Sequence, residues 1–271
     1  MLAEVSWRIG TAGLLCSAAL TPLRAQAAPA AIAPAVATPA AIAPAVATPA
    51  DIAPAPVHAI RWYEAAGAVA ATSTLMLIDE PVERSAQEHR SETSNHIASA
   101  FRHVGQVEVF APVSAALIVT GLVAHRPALV HTGARAVASV GLAGGSTLAI
   151  KEILGRERPA GGVGAFDFDP LSHDPALPSG HVAVAFALAT SLADDIHRTW
   201  ATVGLYTVAT GVVYSRINDD KHWLSDTGFG ALVGFTSAKL VRGRWRVFGI
   251  RPPTFLRAPG GGAAIGWQFT Q

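Results

Sequence analysis

Three short segments in the second half of the chain combine basic side chains, histidines and an aspartate. They are Lys151-Glu-Ile-Leu-Gly-Arg-Glu-Arg158-Pro159, Pro178-Ser179-Gly180-His181, and Ser215-Arg216 followed by His222 and Asp226. Cations on a helix and free amides at a helix start both bind anions. A histidine beside a bound anion can exchange protons near neutral pH. The segments therefore predict a site that binds an anion and does chemistry on it.

The first segment predicts a pair of converging cations. Lys151 and Arg158 are seven residues apart, so two turns of one helix would place both on one face. Arg156 lies nearby but off that line, and Pro159 is expected to end the helix directly after Arg158. Because an apolar helix seldom carries such cations without a partner, the pair indicates a bound anion.

The other two segments supply an anion site and a pair of histidines. Ser179 and Gly180 are expected to begin a helix, and glycine lets an anion approach the backbone amides closely. Arg216 offers a fork of donors that suits a phosphate. His222 and Asp226 are four residues apart, so we expect them on one helix face, with the carboxylate holding one ring nitrogen.

Each segment alone is also typical of ordinary structure. A lysine and an arginine on a helix usually form a solvated face. Pro-Ser-Gly-His is usually a turn before a capped helix, and a His–Asp pair is usually a surface hydrogen bond. The two histidines and one aspartate match no common metal motif. The argument for a site depends on the three segments occurring together at the ends of successive apolar helices.

Hydrophobic periodicity predicts an all-α fold, a bundle of about six apolar helices that carries these segments at its helix ends. The polar stretch 83–105 is expected to be a surface helix or loop. Two short strands are predicted near 247–255 and 263–269, which makes a tail like a β-hairpin. The six helices are expected near 62–78, 107–125, 129–154, 180–196, 199–215 and 223–241.

The N-terminal part predicts export followed by a spacer. Residues 1–27 read as a signal peptide, with an uncleaved N-terminal anchor as the alternative. Residues 28–61 form a linker rich in Pro and Ala, in which the ten-residue unit at 30–39 repeats at 40–49. The catalytic domain is assigned to 62–245 and the C-terminal tail to 246–271. Cys16 is the one cysteine, so neither an intrachain disulfide nor a thiolate cluster can form.

Composition limits the class of protein and its partners. Of the 271 residues, 51% are hydrophobic and 14% are charged, with a formal net charge of +1. Such a balance does not favour nucleic-acid binding. The distribution of basic residues favours a periplasmic bundle, soluble or associated with the membrane. An integral inner-membrane protein with its active site facing the periplasm is the alternative.

The combined pattern Lys-x6-Arg-Pro, Pro-Ser-Gly-His and Ser-Arg-x5-His-x3-Asp resembles the type 2 phosphatidic acid phosphatase (PAP2) superfamily, which also includes vanadium haloperoxidases. The resemblance implies that His222 attacks phosphorus, that Asp226 orients His222, and that His181 serves as acid and then base. It implies a site without cofactor or metal. The phosphate-binding set that it implies is Lys151, Arg158, Ser179, Gly180 and Arg216.

The resemblance implies a phosphatase acting through a phosphohistidine on a phosphomonoester or pyrophosphate, with a phosphorylated lipid or a small organic phosphate as substrate. A vanadate-dependent haloperoxidase and a non-enzymatic envelope protein of the same fold remain alternatives. His173, Asp219, Asp220 and Lys221 lie near the motifs, and we expect them to be solvated loop residues rather than parts of the entrance. The motifs indicate neither the leaving group nor the oligomeric state.

Overall fold

The computed structural model describes residues 57–172, 175–247, 254–257 and 263–266. Within these residues the fold is all-α, as predicted. The predicted signal peptide and most of the predicted linker lie outside the described residues. The helices are α1 (Trp62–Thr74), α2 (Asp79–Glu88), α3 (Glu92–Arg102), α4 (Val107–Val123), α5 (Pro127–Leu154), α6 (Gly180–Ile196), α7 (Thr199–Asn218) and α8 (Leu224–Val241).

Local sequence explains where several helices begin and end. Pro127 starts α5 at a position where a missing backbone donor costs nothing. Gly155 ends α5 in the left-handed conformation, with a φ of 60°, and a Cβ there would lie 1.8 Å from the carbonyl oxygen of Asp169. Ser91 caps α3 by accepting a hydrogen bond from the Ser94 amide. The polar stretch 83–105 therefore forms most of α2 and all of α3.

Helix α6 is the centre of the bundle and packs against α5, α7 and α8. Its buried face consists largely of alanine, which lets neighbouring backbones approach closely. Gly230 and Gly234 continue this close contact on α8. A Cβ would lie 2.5 Å from the Ser179 carbonyl oxygen at Gly230 and 2.2 Å from that of Ala183 at Gly234. The α6–α8 contact thus fixes the start of α6 against the start of α8.

Four short strands accompany the described helices. β1 (His58–Ile60) pairs in parallel with β2 (Trp245–Val247), although 58–60 falls in the predicted linker. β3 (Thr254–Arg257) and β4 (Ala263–Gly266) pair antiparallel. The β3–β4 pair agrees with the predicted hairpin-like tail, whereas the β1–β2 pair was not predicted.

The outer surface of α4 and α5 is apolar. Leu122, Val123, Leu148 and Ile153 are between 61% and 74% exposed. Helix α5 is long and apolar enough to cross a membrane, and 22% of its most apolar 18-residue window is buried in the bundle. A core helix of a soluble protein is mostly buried, so this surface differs from that of an ordinary soluble bundle.

Candidate active site

The predicted site residues meet at one end of the bundle. Because α5 to α8 alternate in direction, the end of α5, the start of α6, the end of α7 and the start of α8 lie on the same side. Lys151 lies in the last turn of α5, and Arg216 lies in the last turn of α7. Ser179 caps α6, and Asp226 lies in the first turn of α8.

The first segment is arranged differently from the prediction. Helix α5 ends at Leu154, and the left-handed Gly155 turns the chain away, so Lys151 and Arg158 do not share a helix face. The prediction was wrong because it relied on Pro159 to end the helix and overlooked the glycine before it. Nζ of Lys151 donates to the carbonyl oxygen of Ala176 at 3.3 Å and also to that of Pro175. Arg158 donates through Nη1 to the carbonyl oxygen of Lys221 at 3.4 Å.

The start of α6 has the features of an anion site. Ser179 is fully buried, and its Oγ has no hydrogen-bond partner within the described part of the chain. Its backbone amide donates to the carbonyl oxygen of Asp226 at 2.9 Å, which ties α6 to α8. Apart from its own helix and its chain neighbours, no described residue has an atom within 4 Å of the position that a Cβ would take at Gly180. An anion can therefore approach the first amides of α6, where the helix dipole favours negative charge.

His181 is surrounded by cations. Burial, followed by the charges of Arg216, His222, Arg158 and Lys151, lowers the pKa of His181 to about 4. All four of those side chains come from other segments, so their effect on one ring shows that the predicted motifs converge. A bound phosphate would supply opposite charge to the same ring and favour its protonated form.

The carboxylate of Asp219, which the sequence did not single out as functional, holds Arg216 in place. Arg216 is 4% exposed, and its Nη2 donates to Oδ2 of Asp219. Arg102 of α3 donates to the same oxygen at 3.2 Å. Asp219 was expected to be a solvated loop residue, but it orients the guanidinium from three residues further along the chain.

His222 lies just before α8 rather than within it, so the prediction that it shares a helix face with Asp226 was wrong. Asp226 is the third residue of α8, and its Oδ2 accepts the Trp223 amide at 2.8 Å as a helix cap. That capping bond places the start of α8 after His222. Nδ1 of His222 lies 3.9 Å from the same Oδ2, within ion-pair range but beyond a hydrogen bond.

His222 is 4% exposed, and its pKa is lowered. Burial is the main cause; Asp226 opposes it, and the charges of Lys151 and Arg158 add to the lowering. The buried surroundings therefore favour the neutral form of the ring.

Sequence reasoning missed the role of Arg156. Its side chain is fully buried, and Nη1 donates to Oδ1 of Asp226 and to Oγ of Ser225, each at 2.6 Å. Nη2 donates to Oδ2 of Asp79 at 2.7 Å. From the sequence, Arg156 is a cation close to Lys151 and Arg158 but off their predicted helix face. Its partners lie about seventy residues away on both sides, where no local spacing reveals them.

Of the other residues near the motifs, Asp220 and Lys221 lie in the turn before His222, and His173 lies outside the described residues. Within the described residues, no group of three or more His, Cys, Asp and Glu side chains is placed to hold a metal ion.

The all-α bundle places cations, an open helix start and a buried histidine at one end, and comparison with known proteins shows which family this region resembles. Residues 132–247 match the model of the PAP2 superfamily. This segment of the chain is similar to that superfamily. The match includes every predicted site residue.

One characterised relative is the lipid A 1-phosphatase of Porphyromonas gingivalis (strain ATCC 33277). It is 39% identical over 106 residues, which is 38% of this chain and 21% of that protein. The matched segment thus spans about a fifth of the relative's length.

Two solved structures share the fold. Aquifex aeolicus LpxE is 20% identical with a TM-score of 0.50, over 61% of this chain and 94% of that one. The transmembrane PAP2-type phosphatidylglycerolphosphate phosphatase of Bacillus subtilis is 22% identical with a TM-score of 0.53, over 67% of this chain and 95% of that one. At these identities the likeness concerns the fold alone.

Proposed function

We propose that this protein is a metal-independent phosphatase that hydrolyses a phosphomonoester or pyrophosphate through a phosphohistidine intermediate. The observation that carries the proposal is the convergence of three cations on two histidines at one end of the bundle. Lys151, Arg158 and Arg216 supply the positive charge that stabilises a transferring phosphoryl group.

In the first step, the ring nitrogen of His222 that faces away from Asp226 attacks phosphorus. An N–P bond forms while the bond from phosphorus to the leaving oxygen breaks. His181 donates its proton to that oxygen, so the leaving group departs as a neutral alcohol or as the shorter phosphate. Asp226 stabilises the positive charge that appears on the His222 ring.

In the second step, His181 takes a proton from water while the water oxygen attacks phosphorus. The N–P bond breaks, inorganic phosphate is released, and His222 regains its lone pair. The lowered pKa of His181 suits this step, because a neutral ring must accept the proton. Ser179 and the Gly180 amide hold phosphate oxygens during both steps.

We infer that the substrate is a phosphorylated lipid rather than a small soluble phosphate. The name of the P. gingivalis relative includes lipid A, and that of the B. subtilis structure includes phosphatidylglycerol phosphate. The exposed apolar side chains of α4 and α5 also favour a lipid-facing protein. Of the localisations that the sequence left open, these observations support membrane association, and a site that faces the periplasm stays a prediction.

Phosphate release tests this function directly. The purified full chain is assayed with phosphatidic acid, undecaprenyl pyrophosphate and an aryl phosphate, beside His222→Ala. His131→Ala is the matched control, because His131 is exposed near the other end of α5. We expect release with the wild type and the control, faster on a lipid, and none with His222→Ala. Undiminished turnover in His222→Ala would overturn the mechanism.

A further inference from the structure

Four fully buried side chains form a network beneath His222 that the reaction described above does not use as a whole. Asp79 lies at the start of α2, Arg156 follows α5, and Ser225 and Asp226 lie in the first turn of α8. Asp79 accepts the Ser225 amide through Oδ1 at 2.8 Å. Its Oδ2 accepts the Ser225 hydroxyl at 2.5 Å and Nη2 of Arg156 at 2.7 Å.

The network contains two carboxylates and one guanidinium, so its formal charge is one negative unit. Burying an uncompensated charge is costly, and a structural tether alone needs only one carboxylate on Arg156. The excess charge therefore indicates a partner that becomes positive. His222 is that partner, because its Nδ1 lies 3.9 Å from Oδ2 of Asp226.

The hydrogen bonds show how Asp79 acts on Asp226. Arg156 binds Oδ1 of Asp226 and would by itself neutralise much of that carboxylate's charge. Asp79 binds the same guanidinium through its other nitrogen and so shares its charge. Asp226 thereby keeps negative charge for His222, while its Oδ2 stays fixed by the Trp223 amide.

Resting on the proposed function, we propose that Asp79 is a positioning residue. Acting through Arg156, it orients Asp226 and supplies the negative charge that stabilises His222 when the ring becomes cationic on attacking phosphorus. Asp79 touches neither substrate nor phosphate in this role. It lies on α2, outside the segment that matches the superfamily.

Other charges also face His222 and must stay constant in any test. They come from α5, the loop after it, α6 and α8, and they are Lys151, Arg158, His181 and Asp226. None of these side chains hydrogen-bonds to Asp79 within the described residues, so a change at Asp79 reaches His222 through Arg156 and Asp226.

Asp79→Asn tests the proposal, because it removes the charge at nearly constant volume. His222 must be neutral to attack, so its pKa sets the acid limb of kcat/KM against pH. Removing a negative charge lowers that pKa, so we expect the acid limb to move to lower pH by about one unit. The plateau kcat should fall about tenfold while KM stays within about twofold, because the phosphate contacts are unchanged.

Ser225→Ala is the matched control within the same network. It removes two hydrogen bonds but no charge, so we expect a lower melting temperature and an acid limb at the wild-type pH. Asp79→Glu should restore most of the kcat lost in Asp79→Asn. If Asp79→Asn does not fold, Asp79→Ser carries the same expectation, because water can replace the lost oxygens.

An acid limb at the wild-type pH in a folded Asp79 variant would overturn the proposal, as would an equal displacement in Ser225→Ala. Either result would leave Asp79 as a structural tether. These outcomes are separate from failure of the proposed function, in which the wild-type chain itself would release no phosphate.

Discussion

Nδ1 of His222 lies 3.9 Å from Oδ2 of Asp226, and that same oxygen caps α8 by accepting the Trp223 amide. One carboxylate thus caps a helix and lies within ion-pair range of the ring before it. Because the Trp223 amide and Arg156 hold it from two sides, Asp226 cannot turn away from His222. In the proposed mechanism, the orientation of His222 therefore depends on Asp226.

We expect Asp226→Asn to lower kcat by roughly 10²–10⁴-fold with little change in KM. The uncharged side chain of asparagine cannot stabilise a cationic ring. Its NH2 group would also face another donor, either the backbone amide of Trp223 or the guanidinium of Arg156. Steady-state kinetics on an aryl phosphate measures both constants. Asp194→Asn is the control, since Asp194 pairs with Lys239 at 2.7 Å outside the site. An equal loss in both variants would contradict a special role for Asp226.

The protonation of His181 should depend on whether phosphate is bound. Without an anion, burial and the neighbouring cations lower its pKa to about 4. A bound phosphate adds opposite charge, which favours the imidazolium, so the pKa should rise by about one to three units. NMR titration of the His181 ring with and without orthovanadate measures the change. A pKa that stays the same or falls on binding would argue against an anion beside His181.

Most of the helical fold could be predicted from the sequence, because local residues set where most of the helices begin and end. Pro127 begins α5, and the apolar runs after Gly180 and Thr199 correspond to α6 and α7. The β1–β2 pair was missed because it joins residues 58–60 to 245–247. Short strands that pair over such a distance carry no local pattern.

The sequence predicted which residues lie together at this end of the bundle, but not which residues hold them in place. Spacing predicted His181, His222 and the proposed phosphate-binding residues, because helix ends place them together. Asp79 and Asp219 were not singled out for function, since their roles depend on contacts with Arg156 and with Arg102 from distant segments. Spacing in the sequence predicts which residues share one end or face of a helix. It does not predict which buried carboxylate from a distant segment contacts them.

Asp219→Asn should weaken substrate binding. It removes the charge that holds Arg216 and leaves that guanidinium facing Arg102 with less compensation. We expect KM to rise about three- to tenfold, the loss of about one charge-assisted hydrogen bond. Asp220→Asn is the matched control, because the backbone of Asp220 itself is left-handed, with a φ of 57° that asparagine tolerates. Initial rates at increasing substrate concentration give the KM of both variants. An unchanged KM in Asp219→Asn would contradict this role.

Gly234→Ala should destabilise the bundle. The added methyl group would lie 2.2 Å from the Ala183 carbonyl oxygen, so α6 and α8 would have to separate. Overpacking of this kind costs about 1–3 kcal/mol. Gly204→Ala is the opposite case, because Gly204 is exposed on α7 and, outside its own helix turn, no atom of the described residues lies within 4 Å of its Cβ position. Helix propensity should then stabilise that variant by up to about 1 kcal/mol. Thermal unfolding in detergent should show changes of opposite sign, and a stable Gly234→Ala would contradict the close α6–α8 contact.

Lysine on the outer face of α4 and α5 should weaken membrane association. Leu142 is 41% exposed near the middle of α5, and Val119 is 57% exposed in the second half of α4. A lysine at the centre of a membrane helix costs about 2.5–3.5 kcal/mol on insertion scales, whereas the same residue in water costs little. We therefore expect Val119→Lys and Leu142→Lys to move part of the protein from the carbonate-washed membrane pellet to the supernatant.

Ile97→Lys on the polar helix α3 is the control, because Ile97 is comparably exposed at 47%. Equal pelleting of all three variants and the wild type would show that this face does not contact lipid.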